Sequence, residues 1–564
     1  MLINFSLFLF YSLLSALAVL GYGFFFQRIY LEKQLNVNIG MVGFLGLFFL
    51  SIISTTTHLI ISHNSYHNLF LLFIGLILFF YLGEKKSLKL FFYCIVLLIL
   101  GYFISKTNED FSYYHLPNSL QFSENKLQFG LGNLNHGFKH YSSLFQLNSI
   151  FYYPKIKFYL FNLTDFLFLI FAACFLLKKI FSIKSIKYSF INTFYIFSLI
   201  LILTKFSRIA EYGTDIPGQI LILIAILVSA NLLFTKQNNI EYYNNFLVLV
   251  FLLIFSITIK IYFIIYCIIP LFIILRGNKK IQTFKNLFKF KNILVITVPI
   301  ILLIIMNLSS TGCFVYPLEK TCFPEYFDWG LPKETVKILN SHYELWSKGG
   351  RTPNYIVENP SNFVAGINWV SHWIQAYFFT KVSDFLLVIF SIIIVFSLLF
   401  FSSLKKFSIK KIHDFNFFYF LLLSIFAYWF FNFPTLRYGG YVIVATLFFL
   451  AYSYFFTQNI NYGEKKNKKK IFFLIGISFL IFNYKNISRI DNEFQNEYVE
   501  NFKNFPLFYV KKTNYNEVLI NQHRLFLLKK GQSHCWATPS TCIRSSNLII
   551  KKNKNYIFYI NNEK

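Results

Sequence analysis

The sequence predicts an all-α polytopic membrane protein of about fourteen transmembrane helices, with long external loops and a small external C-terminal α+β appendage. Three observations carry this. The 564 residues are 56% hydrophobic and 14% charged, more apolar surface than a soluble chain of this size can bury. Apolar runs of about 15 to 25 residues recur along most of the chain, the length a helix needs to cross a bilayer. Lysine and arginine gather in alternate short loops between those runs.

The runs read as spans at roughly 3–26, 36–62, 68–83, 88–104, 158–177, 188–204, 216–234, 245–259, 261–275, 292–308, 383–402, 415–431, 440–456 and 471–484. The first lacks a following small-residue cleavage site and is read as a span, not a signal peptide. The stretch 245–275 admits more than one cut. The 76 phenylalanines accompany abundant Ile, Lys, Asn and Tyr, a codon-bias pattern, and receive no functional weight.

Net charge is +29 from 53 basic and 24 acidic residues. Such a balance can mark a nucleic-acid partner, but here the charges sit in short inter-span loops, which excludes that class. The loops EKKSLK, KKIFSIKSIK, RGNKKIQTFKNLFKFK, LKKFSIKK and EKKNKKK are the basic ones. One threading makes all of them cytoplasmic and puts the N-terminus outside. It leaves 105–157, 205–215, 309–382 and a tail from about 485 outside as well. The organisation is therefore a membrane domain over 1–484, with external loops 105–157 and 309–382, and an external appendage over 485–564. Long ordered loops of this kind usually carry function.

Cys94, Cys174 and Cys267 fall inside spans, where a buried thiol is ordinary. Cys313 with Cys322, and Cys535 with Cys542, form two close external pairs. On an oxidising face they read as two short disulfide loops, with metal binding as the alternative that their spacing disfavours.

The chemistry-bearing residues lie at span mouths. Glu109 and Asp110 follow the fourth span and precede Tyr113, Tyr114 and His115. An interfacial acid there can accept a proton, can hold a divalent cation such as Mg or Mn, or can simply cap a solvated helix end. Lys260 lies between two apolar runs, where it either snorkels or neutralises a phosphate. Arg437, in FPTLRYGGYV, offers the paired donors that suit a phosphate or pyrophosphate, or anchors its span. Asp215 heads the next helix before Ile216 and Pro217; it reads as an N-cap or as a second acid of an external site. In GLGNLNHGFKHYSSLF, His136 and His140 stand four apart. They read as part of a turn leading into an amphipathic interfacial helix, or as a metal pair if the segment is helical, which Gly137 disfavours. Walker A, GxGxxG, HExxH and GxSxG signatures are absent from the sequence, which argues against ATP-driven and ordinary hydrolase chemistry.

EDFSYYHLP resembles the acid-bearing first external loop of the GT-C superfamily. These are polytopic glycosyltransferases acting on lipid-phosphate-linked sugars, such as protein O-mannosyltransferases and the aminoarabinose transferase of lipid A. PTLRYGGYVIVA is similar to their late-span RY motif, at Arg437 and Tyr438, and GCFVYPL to the stretch that opens their large later loop, at Tyr316 and Pro317. Three stretches, YYHLP…GLGNLNHGFKHYSSLF, GCFVYPLEKTCF and CWATPSTC, also resemble an uncharacterised branch of bacterial polytopic membrane proteins. The acid loop follows the fourth span here, not the first, and the pair reads Glu-Asp instead of Asp-Glu.

The resemblance implies a GT-C-like fold. It also implies transfer of a hexosyl or pentosyl group from a polyprenyl-phosphate donor to a glycan, lipid or protein acceptor, on the outer face of a bacterial inner membrane. Asp110, or Glu109, would be the catalytic base. Tyr113, Tyr114, His115, Lys260, Arg437, Tyr438 and Asp215 would bind substrate. A lipid-linked oligosaccharide flippase, an O-antigen polymerase or ligase, and a non-catalytic assembly protein are the rival readings. The first predicts charges inside the bundle and short external loops, the second reliance on external arginines, and the third tolerance of Asp110→Asn.

Overall fold

The computed structural model describes residues 2–31, 38–103, 110–182, 189–207, 209, 213–277, 280–350, 357–404, 414–495, 510–521, 523–544, 548–553 and 556–561. Glu109, one of the two acids flagged in the sequence, lies outside the described residues.

Twenty α-helices run through the described chain. In the N-terminal half they are α1 (Leu2–Tyr30), α2 (Ile39–His58), α3 (Ser65–Leu82), α4 (Lys85–Leu98), α5 (Leu116–Glu124), α6 (Ser143–Ser149), α7 (Leu163–Phe181), α8 (Ser189–Lys205), α9 (Asp215–Phe234) and α10 (Asn239–Ile259). There follow α11 (Ile268–Arg276), α12 (Lys280–Leu287), α13 (Phe290–Thr311), α14 (Lys333–Lys348), α15 (Pro360–Val364), α16 (Val370–Trp373), α17 (Ser383–Leu404), α18 (Phe415–Asn432), α19 (Gly440–Phe456) and α20 (Lys465–Phe494).

Ten helical stretches are long and apolar enough to cross a membrane. Four shorter apolar helices, Leu88–Gly101, Ser189–Lys205, Ile261–Arg276 and Gly440–Phe456, fall on four of the other expected spans. The chain is thus a polytopic helical membrane protein. Burial sorts the helices. The span containing α7 is buried along its whole apolar window, so it is enclosed by protein. By contrast α3 leaves Phe70, Phe73 and Phe80 at 62, 63 and 78% exposure, a face that only lipid can cover without cost. Around the inner helices α1 packs on α2 and α3, α7 on α2 and α8, and α9 on α10.

One expectation needs correction. The segment after GLGNLNHG is not an amphipathic interfacial helix: α6, like α5 before it, is buried along nearly its whole length. The serines that start α6 find partners inside the protein, Ser142 at the Ile259 carbonyl (2.8 Å) and Ser143 at Thr258 (3.0 Å). Within the appendage, 485–564, the described residues hold the end of α20, to Phe494, and then strands. Its strands are β1 (Tyr515–Ile520), β2 (His523–Leu528), β3 (Cys542–Ile543), β4 (Leu548–Asn553) and β5 (Tyr556–Asn561). Asn521 takes a positive φ of 48° in the turn between Ile520 and His523, and the alternating residues on either side pair as an antiparallel hairpin.

A separate antiparallel pair, β4–β5, is docked, not loose. The Phe129 N–H donates to the Ile557 carbonyl and the Tyr559 N–H to the Phe129 carbonyl, each at 2.9 Å. Disulfides join Cys313 to Cys322 and Cys535 to Cys542, the pairing the sequence spacing suggests.

Candidate functional site

Four charged residues from four separate segments meet at one end of the bundle. Asp110 precedes a π-helical turn, Phe111–His115, that leads directly into α5. Asp215 opens α9, Lys260 closes α10, and Arg437 sits in a 3₁₀ turn, Leu436–Tyr438, ahead of α19. Arg437 bridges both acids: its Nη2 donates to Asp110 Oδ2 and its Nε to Asp215 Oδ2, each at 2.8 Å. Lys260 Nζ donates to the other Asp215 oxygen, Oδ1. The result is an alternating chain, Lys260–Asp215–Arg437–Asp110. The side chains of Lys260, Asp215, Arg437 and Asp110 keep 19, 22, 22 and 32% exposure, so a ligand can reach all four.

Asp215 is therefore not a helix cap. Thr214 holds the cap position, without a side-chain bond, and both Asp215 carboxylate oxygens face cations. The loop before it is fixed from below by Asp165, a buried acid in the first turn of α7, which accepts the Gly213 N–H at 2.9 Å. The Arg437 turn is fixed at several points. Tyr377 Oη accepts the Leu436 N–H (2.9 Å), Trp373 donates to the Pro434 carbonyl (2.8 Å) and Trp429 to the Thr435 carbonyl (3.0 Å). Gly439 then takes a left-handed φ of 94°, which lets the chain turn from this loop into α19 without strain.

The electrostatics follow from this geometry. Burial alone would raise the Asp110 carboxyl, but Arg437 and then His115 outweigh it and hold it below the usual carboxylate range. Burial lowers the Lys260 ammonium, with Asp215 opposing. Two acids and two bases cancel, so the resting site is neutral.

Aromatic side chains wall the charges. Lys260 Nζ lies 4.4 Å from the Tyr438 ring centre, and the Arg437 guanidinium 5.7 Å from that of Trp346. Trp346 and Tyr343 project from α14, an amphipathic helix of the later loop. Tyr343 Oη is the hub of a second network, meeting Tyr316 Oη at 3.0 Å, His140 Nε2 at 3.0 Å and His136 Nε2 at 3.1 Å. Burial, with its cationic neighbours, pushes His136 down to about 4 and His140 to about 3, so both are neutral at pH 7. His136 opens a 3₁₀ turn, not an α-helix, that ends at Lys139; His140 follows it in an extended conformation, and both rings serve Tyr343. Gly137 between them allows a close approach: a Cβ there would stand 2.3 Å from Tyr114 Cβ.

The structure thus brings together Asp110, Asp215, Lys260, Arg437 and Tyr438, with Tyr114 in their field. His115 lies beneath, buried against Tyr114 and Phe145. Tyr113 turns toward His136 and the appendage, where the Arg544 guanidinium sits 4.6 Å from its ring centre. The appendage also holds the acid loop: Ser112 Oγ meets His534 Nδ1 at 2.7 Å, and the Trp536 N–H donates to the Ser112 carbonyl at 3.0 Å. Among the described residues no group of three His, Cys, Asp or Glu is placed to hold a metal ion. Asp110 and Asp215 are the acids that a divalent cation would use, and Arg437 occupies both.

The sequence reading did not single out Tyr343, Trp346, Lys139, His534 or Arg544. Tyr343 and Trp346 carried a usable signal, two aromatics one turn apart on an amphipathic stretch of a long loop.

A family model described as a domain of unknown function, DUF8201, matches residues 6–444. The chain belongs to this family. The DUF8201 match includes Asp110, Asp215, Lys260, Arg437 and Tyr438, and ends within α19, ahead of the strands that hold the acid loop. No curated protein matches the chain, and no solved structure matches it.

Proposed function

We propose that the chain is a GT-C-like membrane glycosyltransferase. It moves a sugar from a polyprenyl-phosphate donor to a cell-envelope acceptor, on the outer face of a bacterial inner membrane that it crosses fourteen times. The observation that carries this reading is the Lys260–Asp215–Arg437–Asp110 chain at the bundle end, open to ligand and walled by Trp346 and Tyr438. Two cations at a membrane mouth suit a lipid phosphate, and an adjacent carboxylate suits proton removal from a hydroxyl.

The paired resting state supplies a sequence of events. Asp110 is a weak base while Arg437 holds it. A donor phosphate arriving at Lys260 and Arg437 competes for the guanidinium and draws it from Asp110. The freed carboxylate, desolvated by the covered site, becomes the stronger base. The acceptor oxygen then forms a bond to the anomeric carbon as its proton passes to Asp110. The bond from that carbon to the phosphate oxygen breaks, and its electron pair leaves on polyprenyl phosphate. Lys260 and Arg437 stabilise that developing charge. Since the phosphate is already a leaving group, ATP has no part in the step.

The test is the lipid extract of a deletion strain. Lipid-linked sugar should accumulate, and wild type but not Asp110→Asn at matched membrane levels should clear it. A deletion strain with unchanged lipid-linked sugars and surface glycans overturns the reading.

A further inference from the structure

Beside the neutral inner site lies a second, unbalanced cluster. Lys139 is half-buried at the end of the 3₁₀ turn, and among the described residues its ammonium has no hydrogen-bond or ion-pair partner. Arg544, from the appendage, reaches over Tyr113 and is anchored through one nitrogen on the Ser533 carbonyl. His136, whose ring stacks on the Tyr113 that Arg544 covers, lies in the field of both: the groups acting on it are Lys139, His342 and Arg544, and none is an acid. A lysine desolvated to this degree without a carboxylate is costly unless something anionic meets it. Among the described residues no carboxylate meets this ammonium, whereas the inner cations are both paired.

The two clusters share a wall. Tyr113 stacks on His136 with ring centres 6.3 Å apart, and its chain neighbour Tyr114 lies in the field of Asp110 and Arg437. His136 is joined through Tyr343 to His140, which itself feels Lys260. A ligand in the inner site therefore has this ledge next to it along the Tyr113–Tyr114 strip.

We infer that Lys139 and Arg544 form an outer anion-binding ledge, continuous with the inner site, that takes a second phosphate-sized anion of the substrate. Under the glycosyltransferase reading, on which the substrate's identity rests, that anion is the second phosphate of a pyrophosphate-linked carrier or the carboxylate of an acidic sugar. The ledge also gives the appendage a role. It contributes Arg544 directly, and its Cys535–Cys542 loop presses His534 and Trp536 against Ser112, next to Tyr113. A chain ending after the DUF8201 match would lack both.

The test is calorimetric titration of the full chain in lipid nanodiscs with inorganic pyrophosphate, inorganic phosphate and glucuronate. Lys139→Ala, Arg544→Ala, the double variant and Arg437→Gln are compared at one fixed low ionic strength. Pyrophosphate should bind wild type more tightly than phosphate does. Each single outer variant should weaken pyrophosphate about tenfold, the loss of one charge-assisted contact. Arg544→Lys should keep most of the affinity, which separates a lost charge from a damaged fold. Glucuronate that competes with phosphate in wild type, but not in the double variant, assigns the ledge to acidic sugars; failure to compete assigns it to phosphate. Unchanged pyrophosphate affinity in the double variant, with folding confirmed by its melting curve, overturns the proposal. Binding needs no turnover, so a ledge that survives this test while the deletion strain shows normal glycans would refute the transferase reading alone.

Discussion

Replacing Arg437 by Gln removes the one cation that two carboxylates share. Unit charges about 4 Å apart attract by about 4 kcal/mol at an effective dielectric of 20. The Arg437 and Asp110 side chains retain 22 and 32% exposure, and both gave up part of their hydration to meet. Solvent screening and that desolvation reduce the net coupling to about 1–2 kcal/mol. Asp215 keeps Lys260, so Asp110 is the group left unpaired. Its carboxyl then follows its burial upward, because Arg437 is the main group holding it down. A double-mutant cycle of Arg437→Gln with Asp110→Asn, read by equilibrium unfolding in mixed detergent micelles at pH 7, should give a coupling of that size. Asp110→Asn alone should cost less than Arg437→Gln, since Arg437 still has Asp215. Additivity within about 0.5 kcal/mol would refute the bridging argument.

The pH dependence of stability should carry the mark of the Tyr343 network. His140 is pushed down to about 3, so the unfolded chain binds a proton below about 6.5 that the folded one refuses. Stability is therefore full above about 6.5 and falls with pH, by about 2 kcal/mol from this residue between pH 8 and 5. His140→Gln should flatten the curve in that window, and an unchanged slope would count against it. Gly137→Ala should destabilise by about 1–3 kcal/mol through the clash with the Tyr114 Cβ; a neutral melt of this variant contradicts the packing. Opening the Cys313–Cys322 or Cys535–Cys542 loop by a Cys→Ser pair should cost about 2.5 kcal/mol each, from loop-closure entropy alone. Peptide mapping without reductant should recover both linked pairs, and free thiols at these four positions would refute the pairing.

The helical membrane class was legible because hydropathy and lysine placement are read one segment at a time. The short Ser189–Lys205 and Gly440–Phe456 helices show the limit of length as a criterion, since each follows the apolar pattern but falls short of a full span. Asp110, Lys260 and Arg437 could each be singled out because an ionised group at a span mouth is rare and costly. Their meeting could not: Asp110 and Arg437 are 327 positions apart, and no local pattern encodes that contact. Asp215 shows the reverse error. Its local pattern before Pro217 favours a cap, and tertiary contact with Lys260 and Arg437 overrides it. The polar loop 130–149 misled in the same way, because Ser142 and Ser143 bond to Ile259 and Thr258, 117 and 115 positions away, which sequence does not reveal. The hairpin could not be placed within the expected α+β tail, because what pairs EVLI with RLFLL is the turn at Asn521, which carries no Asn-Gly or Asp-Gly signature.

The most direct test of the central claim is donor consumption by the purified full chain in nanodiscs, using lipid extracted from a deletion strain as the donor pool. The account predicts that wild type releases polyprenyl phosphate and moves the sugar. Asp110→Asn should be slower by about 10²–10⁴, the worth of a positioned general base, and Arg437→Gln by about 10²–10³. An intact donor pool under wild type, or equal rates for wild type and Asp110→Asn, would contradict it.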